Sequence, residues 1–139
     1  MGLVDYSDIK DDIEGAQDQK ILPAGTEVKA RIIAVRSGIS EKNDCEWYNV
    51  RFDIPNEPLA REFTTFFWDP LSREKLDPKQ AARNNYQLKQ FFSCFSVDIS
   101  RKFSWEDDLP GLTGWVILGV NRDSNYGDQN TVSKFVVGK

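Results

Sequence analysis

The side chains in this sequence with chemistry to offer are flat rings and cations set two residues apart. Trp47, Asn49 and Arg51 follow one another at that spacing, and Phe66 and Trp68 repeat it a little further on. In an extended chain, residues two apart project from the same face. An indole beside a guanidinium on an outward face is more than a solvated strand requires. An unpaired nucleobase needs a ring face to stack on, worth about 1–3 kcal/mol per base, and its phosphate needs a cation. The remaining candidates are Lys29, Arg31, Arg36, Lys42, Arg61, Arg122 and Lys134, near strand ends and loops, with Tyr126 as a ring carried on a loop.

Other chemistries are poorly supplied. Histidine is absent, and Cys45 and Cys94 have neither a CxxC spacing nor neighbouring ligands. Zinc fingers, histidine bases, Cys-His nucleophiles and haem attachment are thereby excluded. Both cysteines read as small, buried or half-buried thiols of a reducing compartment. There is no glycine-rich phosphate loop and no GxSxG elbow. A nuclease would need Asp53, Glu62 and Asp69 to converge on a metal, which their spacing does not demand. The expectation is a binding protein, not an enzyme, with no cofactor and no metal.

The formal charge of −4 is unevenly placed. Residues 1–20 carry Asp5, Asp8, Asp11, Asp12, Glu14 and Asp18 against Lys10 and Lys20, which accounts for the whole excess. The remaining 119 residues hold sixteen acids and sixteen bases, so a basic face there is a matter of clustering. No apolar run nears the roughly 20 residues that cross a bilayer, and the N-terminus lacks a signal-peptide pattern. A soluble, unsecreted protein without membrane contact is expected.

The elements that must position these residues follow from periodicity. Residues 1–20 are polar and acidic and predict a flexible arm. A strand from Val28 places Val28, Ala30, Ile32 and Ala34 inward and Lys29, Arg31, Ile33 and Val35 outward. A polar hairpin connection over 37–45 leads to a second strand, 47–54, with Tyr48, Val50, Phe52 and Ile54 as its core face. The third strand, 61–68, has Phe63, Thr65 and Phe67 on one face and Thr64, Phe66 and Trp68 on the other. The second set is favoured as outer because Glu62 shares its side.

Asp77-Pro78-Lys79-Gln80 predicts a helix start, running to about residue 96 with a stripe of Ala81, Leu88, Phe92 and Phe95 widened by Tyr86 and Phe91. An acidic linker, a strand over 112–120, a flexible loop over 121–130 and a last strand over 131–137 complete the chain. Three meander strands, a helix and two strands is the order of an OB-fold, a five-stranded partly open barrel. Another small barrel, or a sheet with one packed helix, fits the same order.

Several segments carry a resemblance: ILPAGTEVKARIIAVRS, the 47–54 strand, the third strand ending FFWDP, the helix KQAARNNYQLKQFFSCFSVD, and LTGWVILGV followed by YGDQNTVSKF. Together, over residues 21–137, they resemble a family of short phage proteins regarded as OB-fold single-stranded-DNA-binding proteins of replication or recombination. The resemblance implies a mainly β protein: a five-stranded OB-fold barrel over 21–139 with one α-helix between strands three and four. It also implies single-stranded DNA as partner and the cytoplasm of a bacterial host as location. In such a fold the ligand surface centres on strands two and three and the loops joining strands one to two and four to five.

Many single-stranded-DNA-binding proteins end in an acidic tail that recruits partners, whereas this chain carries its acids in front. The arm would then meet phage replication or recombination proteins, compete with DNA for the groove, or stay silent in solvent. A protein-interaction OB domain or small virion component is the alternative reading. The first and last strands, expected at the sheet edges, would be covered by a second copy, which predicts a homodimer.

Overall fold

Alternation fails once along the first strand, and that failure shapes the sheet. In the computed structural model, which describes residues 2–123, 125 and 127–138, β1 (Glu27–Ile39) pairs with β2 (Glu46–Asp53) and with β4 (Thr113–Asp123). Its register slips between Ile32 and Ala34. Val28, Ala30 and Ile32 face the core, but beyond the slip Val35 is buried and Ala34, expected inside, stands opposite Arg51 on the outer face. A bulge of this kind bends a strand and increases its twist. One half of β1 thus serves β4 and the other half serves β2.

Among the described residues the strands form one antiparallel five-stranded sheet, ordered β3-β2-β1-β4-β5, with β3 at Phe63–Trp68 and β5 at Gly127–Phe135. The first strand therefore lies at the centre and not at an edge, contrary to the sequence expectation. The edges are β3 and β5, and they approach one another: Arg61 Nη1 donates to the Asp128 carbonyl at 3.3 Å. Much of the segment expected as a flexible loop over 121–130 is ladder, with Asn121 opposite Gln129 and Asp123 opposite Gly127. Gly127 turns the chain at φ 76°, where a side chain would strain the backbone.

Between β3 and β4 runs α2 (Pro78–Cys94), started by Asp77, whose carboxylate accepts from the backbone of Lys79 at 2.8 Å and Gln80 at 3.2 Å. Its buried line is Asn84, Leu88 and Phe91, continued by Phe95; Tyr86, expected in the stripe, is exposed. Phe91 and Phe95 pack on Phe52 and Phe67 of the sheet, with ring centroids 4.9–6.5 Å apart. Each such side chain contributes about 1.5–3 kcal/mol on burial. The expected acidic linker is a short helix, α3 (Trp105–Asp108), whose Trp105 stacks on Tyr48 at 4.3 Å and 6°.

Residues 2–20 are all exposed and include α1 (Lys10–Glu14). The arm joins the body at Lys20, whose amide donates to the Leu59 carbonyl at 2.8 Å and whose carbonyl accepts from Arg61 at 3.0 Å. Next, Leu22 is held by the buried Asn130 amide, which accepts from its N–H at 3.0 Å and donates to its carbonyl at 2.9 Å. Among the described residues no helix is long and apolar enough to cross a membrane.

Candidate functional site

The ladder between β1, β2 and β3 writes three rows across the outer face: Gly38–Trp47–Trp68, Arg36–Asn49–Phe66 and Ala34–Arg51–Thr64. Successive rows are two residues apart, so Trp47 and Arg51 are separated by roughly 13 Å along the strand. Phe63 and Phe67 fill the core from the opposite face of β3, while Phe66 keeps 46% of its surface in solvent. Its ring centroid lies 5.8 Å from Trp47 and 4.8 Å from Trp68, the latter edge-on at 90°. The three rings form one platform because the pleat gives Trp47 and Trp68 opposite positions and Phe66 the diagonal one.

Trp47 lies low over β1 because its neighbour there is a glycine. A Cβ on Gly38 would stand 2.8 Å from Trp47 Cε2. A second device fixes Trp68. Asn84, buried on α2, donates from Nδ2 to the Trp68 carbonyl at 2.7 Å and accepts from the Trp68 N–H at 2.9 Å. Its carboxamide thus takes the place a neighbouring strand would occupy. The sequence reading missed Asn84; the available signal was a polar residue four positions before Leu88 on the helix's buried line.

The cations fall into distinct settings. Arg36 shares the middle row with Phe66, and Lys42 stands on the turn just beyond the Trp47 row; among the described residues neither side chain has a charged partner. Arg51 lies 3.9 Å from Glu62, both about half exposed, a contact too loose and wet to hold the guanidinium strongly. Arg61 reaches past Asp128 into a cleft of about 470 Å³ between β3 and β5, shared with Arg51, Thr64, Asn121 and Gln129. Arg122 is exposed near the tip of the β4–β5 hairpin, opposite Asp128.

Three candidates stand apart from the platform. Arg31 is engaged by Asp53, donating from Nε at 3.0 Å in a two-pronged ion pair. That hydrogen bond, and then the charge of Asp53, raise the pKa of the guanidinium above its usual value. Lys29 lies opposite Trp115, and Lys134 opposite Ile117, on the β1–β4–β5 half of the sheet. Tyr126 lies outside the described residues. The three carboxylates a nuclease would need do not converge: Asp53 is taken by Arg31, and Glu62 and Asp69 flank opposite ends of β3, a six-residue strand spanning about 20 Å.

Both thiols sit in packing. Burial pushes Cys45 up and Cys94 up to about 11, the latter against the Trp115 carbonyl at 3.2 Å, so both stay protonated at neutral pH. What the outer face can do is stack planar groups on Trp47, Phe66 and Trp68 while Arg36, Arg51, Lys42 and Arg61 meet anions along its length. No protein-family model and no curated protein matches the chain.

Proposed function

We propose that this protein binds single-stranded DNA without strong sequence preference, on the outer face of β1–β2–β3. The observation that carries the reading is the ring platform of Trp47, Phe66 and Trp68 with Asn49, Arg36 and Arg51 interleaved. Stacking on such rings accepts any base, and cations spaced along the same strands track the backbone. The strand order, the helix between β3 and β4 and the approach of β3 to β5 support reading the sheet as an OB-fold barrel, whose ligand face is this one. The resemblance to phage proteins supports assigning this activity to replication or recombination of a phage genome in the cytoplasm of its host.

Titration with oligo-dT of increasing length tests it through tryptophan fluorescence. Quenching with a defined site size is expected, and Trp47→Ala should reduce it. If about three phosphates are neutralised, log affinity falls with log salt at a slope of about −2. Absence of quenching, with a stable oligomer joined through the aromatic face, would favour a protein-interaction module instead.

A further inference from the structure

The molecule carries an open aromatic groove on the side of β2 opposite the platform, where Tyr48 points away from its neighbours Trp47 and Asn49. Its floor is Tyr48, Trp105 and Phe92, and its walls are Leu71, at the start of the 3-10 turn Pro70–Lys75, and Ile99. A cavity of about 600 Å³ continues into a second of about 370 Å³ along α2, the two sharing Pro70, Phe92 and Ile99. Leu71 is 82% exposed and Ile99 63% exposed, so two large aliphatic side chains stand in water at the mouth. Arg101, Lys102 and Lys89 rim it. Of the acids nearby, Asp69 lines the groove but is buried and accepts from the Leu71 amide, Asp98 lies 3.5 Å from Arg101, and Glu46 and Glu106 act on the Tyr48 hydroxyl from outside the lining, Glu106 accepting from Ser37 Oγ at 2.6 Å.

The arm has the opposite character. Leu3, Val4, Tyr6, Ile9 and Ile13 are each at least 46% exposed, and between them stand Asp5, Asp8, Asp11 and Asp12. An isolated segment of this length gains little by being helical, and its apolar side chains gain nothing in water. It matches the groove in both respects, with aliphatic and aromatic side chains for the floor and carboxylates for the basic rim. The groove stays open although the same chain's residues 2–20 are all present and exposed. We propose that the arm of one copy lies in the aromatic groove of a second copy, and the second copy's arm in the groove of the first. Such an exchange is two-fold and closes on itself, giving a dimer rather than a filament. It leaves Trp47, Phe66 and Trp68 uncovered and does not depend on what they bind.

Sedimentation equilibrium of the full-length chain over a wide concentration range tests this. The expected result is a monomer–dimer equilibrium. Leu71→Asp with Ile99→Asp, both at exposed positions the fold tolerates, should abolish the dimer while circular dichroism stays unchanged. Arg101→Glu with Lys102→Glu should weaken it about tenfold or more, equivalent to about 1.4 kcal/mol. Adding Asp5→Lys and Asp8→Lys to that variant should restore it. A synthetic peptide of residues 2–16 should compete the wild-type dimer apart. A monomer at every concentration overturns the proposal, including the case in which the arm docks on its own body. So does a dimer indifferent to the groove variants.

Discussion

Replacing Gly38 by alanine asks whether the Trp47 indole is a landing surface or only cover for β1. The added Cβ would stand 2.8 Å from Trp47 Cε2 and 3.0 Å from Cη2. It would overlap Cζ2 still more closely, and ordinary carbon contacts lie at about 3.5–4.0 Å, so the ring must move by roughly 1–1.5 Å or turn away. Alanine in place of glycine restricts the unfolded chain, which favours the fold by about 0.4–1 kcal/mol. Overlap costs about 1–3 kcal/mol in a tight core and less at a half-exposed ring that can swing. The net loss is then no more than about 2 kcal/mol, a few degrees in Tm. Displacing one stacked base costs about 1–3 kcal/mol, a 5- to 150-fold loss of affinity. Thermal melting and oligo-dT titration of Gly38→Ala, read beside each other, should therefore show a small change in the first and a large one in the second. If the tryptophan emission shifts, proving that the ring has moved, and affinity is unchanged, Trp47 is not where a base sits.

Neighbouring phenylalanines should part company: Phe67→Ala, in the core, is expected to cost about 3–5 kcal/mol in denaturant unfolding, whereas Phe66→Ala, which loses two ring contacts at a half-exposed site, costs about 1–2 kcal/mol and weakens DNA binding. Asn84→Ala removes both contacts to the Trp68 backbone and should lower stability by about 1–3 kcal/mol, with a parallel loss of affinity as the platform loosens. The folded protein keeps the Cys94 proton up to about pH 11, whereas the unfolded thiol loses it near 9.0, so native protein binds more protons in that window. Stability should fall as pH rises from 9 to 11, and urea midpoints of Cys94→Ala should fall less steeply. For the same reason both cysteines should resist alkylation at pH 8 until the chain unfolds.

The middle of the chain was the most legible part. From 47 to 68, strict alternation put Val50, Phe52, Phe63 and Phe67 on one side and Trp47, Arg51 and Phe66 on the other, and the ladder has the same division. Local chemistry also sufficed for the start of α2, where a cap and a first-turn proline stand together. Ala34 was misplaced because a one-residue slip reverses every later side chain, and nothing in a run of Ile, Ala and Val marks where it occurs. The hairpin at 121–130 reads as loop because Asn, Asp and Gly dominate it; its pairing comes from β4 and β5 being adjacent and long. Arg31 could not be separated from the other cations, since its partner Asp53 is 22 residues away. Asn84 shows itself only as a polar residue on the helix's buried line; that it positions Trp68 is not legible, because its partner lies on another element.

That carboxamide has one more effect. Exposed strand margins are where folded proteins zip together into aggregates, because unpaired amides and carbonyls template further chains. At Trp68 both groups on the outer side of β3 are already satisfied by Asn84. A neighbouring molecule therefore cannot pair with β3 at Trp68, and any ladder it started along this margin would have to stop one pair short of the strand's end.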